Sequence, residues 1–230
     1  MSLWYLKCWN GLRDFDPLVH RITSLKFPAT EFSKTTLSFG FYAFLNHFFY
    51  VLWAFDGVWG AGFCKLDLLD SLKAVLNGAE PSNFLKNTQT SSRVSQIAHI
   101  ARMCQHIGTG QEDTKALQPV AESILTGVYK GPCYIKGSLF ALNVFQHTCV
   151  IPKGTTLTYQ SIAQRIDHPL AVRAVANVLS RNQLAYLIPC HRIVPKKGGM
   201  GGYLYGSSLK ADLLKAEKDT ERGFFNKVQN

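Results

Sequence analysis

A cysteine and a histidine stand side by side at Cys190-His191, inside "LIPCHRIVPKKGGMGGYLYG" (residues 187–206). A thiol attacks carbon only as thiolate, and an ordinary cysteine loses its proton near pH 8.5. A neighbouring base makes it reactive at neutral pH, and His191 is the candidate. Adjacent residues of an extended chain point to opposite faces. Cooperation between the two therefore requires a bend or a bridging water, and Pro189 favours such a constraint. The imidazole needs a third group to orient it. Glu217, in "SSLKADLLKAE", is the leading acid, with Asp212 and Asp167 as alternatives. A Cys-His dipeptide by itself is more often packing than chemistry.

The elements around the dipeptide must position it. "SLFALNVFQHTCVI" reads as a helix ended by Pro152 and Gly154. "TLTYQSIAQRI" reads as a short helix capped by Thr158, and "HPLAVRAVANVLSRN" as a second one close behind. Two short helices on a tight connection in a basic region look like a helix-turn-helix. The second carries small or β-branched residues at Ala171, Val172, Ala174, Val175 and Ala176, interrupted by Arg173. Such a face lets another backbone come close, either a second helix or the floor of a DNA groove. Arg173 then reaches into a base stack, or simply sits on a phosphate or carboxylate.

Upstream, the segment from Thr35 to Phe55 has no charged residue. A membrane helix needs about 20 apolar residues, but Asn46 and His47 interrupt this one and aromatic residues dominate it. Asp56-Gly57 follows as a hairpin signal. Buried antiparallel strands over 37–64 are expected, not a membrane span. Helices are expected over 65–78 and 93–108, with a third from Ala116 broken at Gly131-Pro132. "EPSNFLKNTQTSS" reads as loop. His99, Cys104 and His106 lack metal-site spacing, and the better reading is a buried cysteine among surface histidines.

Charge is uneven. Residues 1–135 hold 12 Lys+Arg against 10 Asp+Glu, a net of +2, and residues 136–230 hold 13 against 5, a net of +8. The basic C-terminal part points to a polyanion. The six cysteines are scattered without a C-x-x-C pair, which speaks for reduced thiols over a disulfide framework or a zinc finger. No signal peptide is expected from the first residues. The expected organisation is an unassigned extension over 1–45, an α/β domain over 46–136 and a DNA-binding domain over 137–230.

"PCHRIV", a glycine-rich loop ending in Gly202-Tyr203, and "K-x-x-LL-x-x-E" together resemble the O6-alkylguanine-DNA alkyltransferases. The resemblance runs from about Thr158 to Glu217, and more loosely back to Phe140. It implies an α+β fold: a small N-terminal antiparallel-sheet and helix domain of RNase H-like type, then a winged helix-turn-helix-type domain. It implies that Cys190 takes the alkyl group, that His191 deprotonates it through a water, and that Glu217 holds His191. Tyr159 would hydrogen-bond the flipped guanine and supply a proton to it. Arg173 would fill the space of the flipped base, with Ala171 and Ala174 beside it in the groove. Asn182 would brace the turn before the cysteine. Tyr203, Tyr205 and the backbone of Ile193 and Leu204 would line the pocket. The implied partner is double-stranded DNA bearing O6-alkylguanine, with O4-alkylthymine as a further substrate. Neither metal nor organic cofactor is needed, and a monomer without membrane contact is expected, in the cytoplasm or, in a eukaryote, the nucleus. The chain departs from the family at Gln183, where many relatives have proline, and at Tyr205, where some have glycine. No cysteine-rich zinc domain precedes the motifs, so a methylation-sensing regulator is not supported. A lesion-binding module without chemistry and a helix-turn-helix regulator are the rival readings; the presence of Cys190 argues against the first.

Overall fold

The computed structural model describes residues 4–8, 36–54, 56–85 and 91–219. Strands β1 (Trp4–Cys8), β2 (Leu37–Phe44), β3 (His47–Ala54), β4 (Gly57–Cys64), β5 (Gly110–Glu112) and β6 (Cys133–Gly137) form one sheet in the order β1-β6-β4-β3-β2-β5. The buried antiparallel strands expected over 37–64 form, as two hairpins. Leu45-Asn46 turns the first, and β3 returns as β4 with Ala54 opposite Gly57. No helix among the described residues is long and apolar enough to cross a membrane.

β4 is buried along its whole length, which happens only when both faces of a strand are covered. Helices α1 (Leu66–Leu76), α2 (Ser82–Leu85), α3 (Ser91–Ile107) and α4 (Thr114–Thr126) belong to this half of the chain. α1 buries Leu68, Leu72, Val75 and Leu76, whereas Leu66, which the spacing groups with Leu69, Leu72 and Leu76, is exposed. α4 ends at Thr126, where Gly127 takes a left-handed φ of 80°, several residues before the expected break at Gly131-Pro132. Part of the stretch read as loop, Ser82–Leu85, is a helical turn.

Two expectations change. Strand β2 falls inside the stretch expected as an extension, yet it pairs with β3 over seven residue pairs. β1, earlier still, pairs with β6. The sheet therefore reaches across the boundary expected at residue 45, because pairing partners far apart in sequence leave no local mark. His99 is also not a surface residue. It is buried in α3, and burial, with the Arg102 charge second, pulls its imidazole down to about 4. The readings of residues 9–35, of 220–230 and of the His106 side chain lie outside the described residues.

The C-terminal half contains α5 (Leu139–Cys149), α6 (Tyr159–Arg165), α7 (Val172–Leu179) and α8 (Ser207–Asp219), with a two-stranded parallel ladder of β7 (Leu157–Thr158) and β8 (Ile193–Val194). Thr158 caps α6 as expected, its hydroxyl accepting from Ser161 N at 3.0 Å. Ser138 caps α5 in the same way through Ala141 N. α7 starts only at Val172, later than the run from His168 suggests, because Asp167 takes a φ of 59° and reverses the chain.

The halves share one core. Ala61 of β4 donates its N–H to Gln183 O and accepts from Ala185 N, both at 2.8 Å. The chain that leads into Cys190 is thus tied to a fully buried strand of the N-terminal sheet. Tyr186 carries a left-handed φ of 75°, costly for a tyrosine. Its ring sits in edge contact with Phe44, Phe49 and Phe63, and its hydroxyl donates to Leu125 O at 3.2 Å.

Candidate functional site

The cysteine does not lie on an extended strand. Cys190–Arg192 form one turn of 3₁₀ helix directly after Pro189. That turn supplies the bend that the dipeptide needs, and it buries Cys190, His191 and Arg192 together.

Among the three candidate acids, the fold selects Glu217. Its Oε1 accepts from His191 Nε2 at 2.8 Å. Asp167 lies in the turn before α7, and neither it nor Asp212 makes a hydrogen bond or ion pair with His191 among the described residues. Arg192 holds the same carboxylate, with Nε at 3.1 and 3.0 Å from its two oxygens and Nη2 at 2.7 Å from Oε1. A further Arg192 nitrogen, Nη1, donates to Ile151 O at 2.6 Å. Gly154 N donates to Glu217 Oε2 at 3.3 Å. Burial would push the Glu217 carboxyl up, but the hydrogen bonds from His191 and Arg192 and their charges outweigh it and hold it at about 2. A buried charge persists only when paired in this way.

The His191 tautomer follows. A carboxylate only accepts, so Nε2 carries the proton on the shared bond. Burial lowers the imidazole's affinity for a second proton, against the pull of Glu217. His191 is then neutral, with a free lone pair on Nδ1, which makes no hydrogen bond to protein among the described residues. Its ring stacks on Tyr186, with centroids 5.9 Å apart and planes 16° from parallel. The imidazole is thus fixed in tautomer and orientation, with one basic atom to spare.

Asn182 is buried and braces the same turn. Its Nδ2 donates to Ile188 O at 2.8 Å and to Cys190 Sγ at 3.2 Å, and its Oδ1 accepts from Leu184 N at 3.0 Å. Burial raises the Cys190 thiol, while the Asn182 hydrogen bond and the Lys210 charge pull it back. Asn182 aims a donor at the sulfur, where negative charge grows when the proton leaves.

Cys190 borders a cleft of about 740 Å³, shared with Tyr159, Asn182, Tyr203, Leu204 and Tyr205. Tyr159 begins α6, and its hydroxyl lies 3.9 Å from where a Cβ on Gly201 would sit. The loop glycines Gly198, Gly199, Gly201 and Gly206 all take positive φ, which side chains with a Cβ rarely adopt. Tyr205 is buried and turned toward the N-terminal sheet. Its hydroxyl is 3.3 Å from that of Tyr50, and its ring meets Phe63 edge-on. Ile193 does not border the cleft. Its side chain is buried and its carbonyl accepts from Lys210 Nζ at 2.6 Å. On α7, Arg173 and Ala174 are exposed, while Ala171, at the helix start, is half-buried and in line with the buried Val175 and Leu179.

Sequence reasoning missed Arg192, Lys210, Tyr186 and Gln96. The spacing of "K-x-x-LL-x-x-E" held a signal for one of them. Lys210 and Glu217 are seven residues apart, two helical turns, so both project from one face of α8 onto the 190–193 turn. Gln96 is buried on α3, where it donates to Leu204 O at 3.2 Å, and Ser92 donates to the same carbonyl at 3.4 Å. No pattern in the sequence links α3 to that loop.

Residues 139–219 match the family described as 6-O-methylguanine DNA methyltransferase, DNA binding domain. Over 90 residues the chain is 47% identical to the regulatory protein ada of Salmonella typhimurium, covering 39% of this chain and 26% of that one. Over 116 residues it is 40% identical to a probable methylated-DNA–protein-cysteine methyltransferase of Acanthamoeba polyphaga mimivirus, covering 46% of this chain and 77% of that one. It thus spans about a quarter of the length of the first relative and most of the second. The fold is similar to that of Mycobacterium tuberculosis O6-methylguanine methyltransferase, with a TM-score of 0.53 at 20% identity, covering 80% of this chain and 94% of that one. A mixed α+β fold of that type, the identity across most of the viral relative and the matched DNA-binding domain agree, and the chain belongs to the O6-alkylguanine-DNA alkyltransferase family.

Proposed function

We propose that the chain repairs DNA by moving an alkyl group from O6 of guanine to Cys190 in a single irreversible event. The observation that carries this reading is the arrangement around the sulfur. Asn182 Nδ2 stands 3.2 Å from Cys190 Sγ, next to a neutral His191 whose outer nitrogen is held by Glu217. His191 Nδ1 accepts the thiol proton through a bridging water. The thiolate lone pair forms an S–C bond to the alkyl carbon while the C–O6 bond breaks. Its electrons stay on the guanine, which takes a proton, with Tyr159 as the donor at the cleft. In this reading the thioether is not hydrolysed, so each chain acts once. No redox partner or cofactor enters the balance.

The alkylated base lies inside a duplex and must rotate out, at a cost of a few kcal/mol. The basic C-terminal half and Arg173 on the exposed face of α7 support that step. In this reading α6 and α7 form a helix-turn-helix within a winged domain that meets the minor groove. The N-terminal unit is an RNase H-like sheet that supports the site. The partner is double-stranded DNA carrying O6-alkylguanine, with O4-alkylthymine as a secondary lesion. The protein acts as a monomer, in the cytoplasm or the nucleus.

The test is incubation with duplex DNA carrying labelled O6-methylguanine, followed by peptide mapping. One equivalent of label on Cys190, about 14 Da for a methyl group, without turnover, is the expected result. Cys190→Ala abolishes transfer and leaves DNA binding largely intact. Label on another cysteine, or turnover, would sink the reading. Binding without any transfer would leave the lesion-binding module.

A further inference from the structure

The cleft above Cys190 has a second wall that the family motifs do not contain. Val94, Ser95, Ala98 and Arg102 of α3 line it from the N-terminal half, together with Ser180 and Arg181 just after α7. Arg102 and Arg181 are both exposed. Neither side chain makes an ion pair or hydrogen bond among the described residues. No carboxylate of the described residues borders the cleft. The whole of α3, "SSRVSQIAHIARMCQHI", lacks an acidic residue, although residues 1–135 together carry nearly balanced charge.

Two unneutralised guanidiniums facing one cleft repel each other. They are favourable together where an anion lies between or beside them. A nucleotide rotated out of a duplex carries its flanking phosphates toward the mouth of the pocket that receives its base. An arginine there meets the phosphate as a two-pronged donor.

We infer that Arg102 of α3, with Arg181 of the same cleft, binds a phosphodiester next to the extruded nucleotide, so that the N-terminal half is part of the DNA interface. This deepens the function proposed above and rests on it for the identity of the extruded base. The N-terminal unit then has two tasks: it supports the pocket loop and it closes around the damaged strand.

The experiment compares the full chain with Arg102→Gln and Arg102→Lys. Binding to lesion-bearing duplex is measured as a function of salt, and alkyl transfer is measured from duplex and from free O6-alkylguanine. Arg102→Gln is expected to lower the slope of log affinity against log salt by about 0.9, and to weaken binding roughly fivefold to tenfold near 0.1 M salt. Arg102→Lys keeps the slope, and reaction with the free base is unchanged in both. Replacing one lesion-flanking phosphate by a neutral methylphosphonate lowers native affinity by the same factor and abolishes the difference between native chain and Arg102→Gln. An unchanged slope in Arg102→Gln overturns the inference, as does a full loss with every flanking phosphate neutralised in turn. Equal losses in Gln and Lys variants overturn it too, since they mark a structural role. The two readings fail separately. A native chain that shows the Arg102-dependent slope but transfers no label refutes the repair chemistry alone. A chain that labels Cys190 with no Arg102 dependence refutes the phosphate contact alone.

Discussion

The hydroxyls of Tyr50 and Tyr205 lie 3.3 Å apart, and they join the buried N-terminal sheet to the loop that borders Cys190. Gly62 makes the contact possible, because a Cβ there would collide with both hydroxyls. Tyr205→Phe leaves the Tyr50 hydroxyl buried without this partner and is expected to lower stability by about 1–3 kcal/mol. Gly62→Ala is expected to cost a similar amount by overpacking. Urea unfolding of the two variants measures both, and unchanged midpoints would show that the hydroxyl pair contributes nothing.

The same anchoring bears on the size of the alkyl group. Tyr205 borders the cleft and its ring is held by Phe63 and Tyr203, so it does not swing out to solvent. Tyr205→Gly is expected to speed inactivation by free O6-benzylguanine by roughly tenfold to a hundredfold, a change of about 1–3 kcal/mol. Methyl transfer from DNA stays the same per folded molecule. If the glycine variant reacts no faster with the benzyl compound, Tyr205 does not set the pocket size.

Asn182→Ala removes the hydrogen bond at Cys190 Sγ. That bond opposes the upward push of burial on the thiol, so its loss raises the thiol further. The transfer rate then falls at neutral pH and its pH profile moves to higher pH. A rate that drops equally at all pH values would assign Asn182 a purely structural part.

The Glu217 carboxyl sits at about 2, below its ordinary value of 4.5. Between these values the unfolded chain binds more protons than the folded one. The stabilisation is therefore complete above about pH 4.5, declines as pH falls, and is gone below about 2. Glu217→Gln is expected to remove this dependence and to cost about 3–5 kcal/mol at pH 7, because Arg192 stays buried without its counter-ion. Thermal melts of both chains from pH 7 to pH 3 should converge as the pH drops. Parallel curves would contradict the assignment.

Arg173→Ala is expected to slow transfer from duplex DNA far more than reaction with free alkylated base, since the exposed side chain matters only where a base leaves a stack. Equal effects on both substrates would make Arg173 a structural residue.

Much of the C-terminal half is legible in the sequence because its determinants are local. Thr158 caps α6 through Ser161 N, three residues on, Pro189 precedes the bend at Cys190, and two helical turns bring Lys210 and Glu217 to one face. Neighbours a few residues apart meet whatever the rest of the chain does. The choice of Glu217 over Asp167 and Asp212 was not local. It depends on α8 docking against the 190–192 turn, 25 residues away along the chain. The burial of His99, the pairing of β1 with β6, the Tyr50–Tyr205 contact and the approach of Arg102 to the cleft lie further still from any local pattern. Those contacts join residues about a hundred or more positions apart, or depend on which helix face meets the sheet. Sequence patterns record which side chains want burial; the packing of two halves into one core decides what they are buried against.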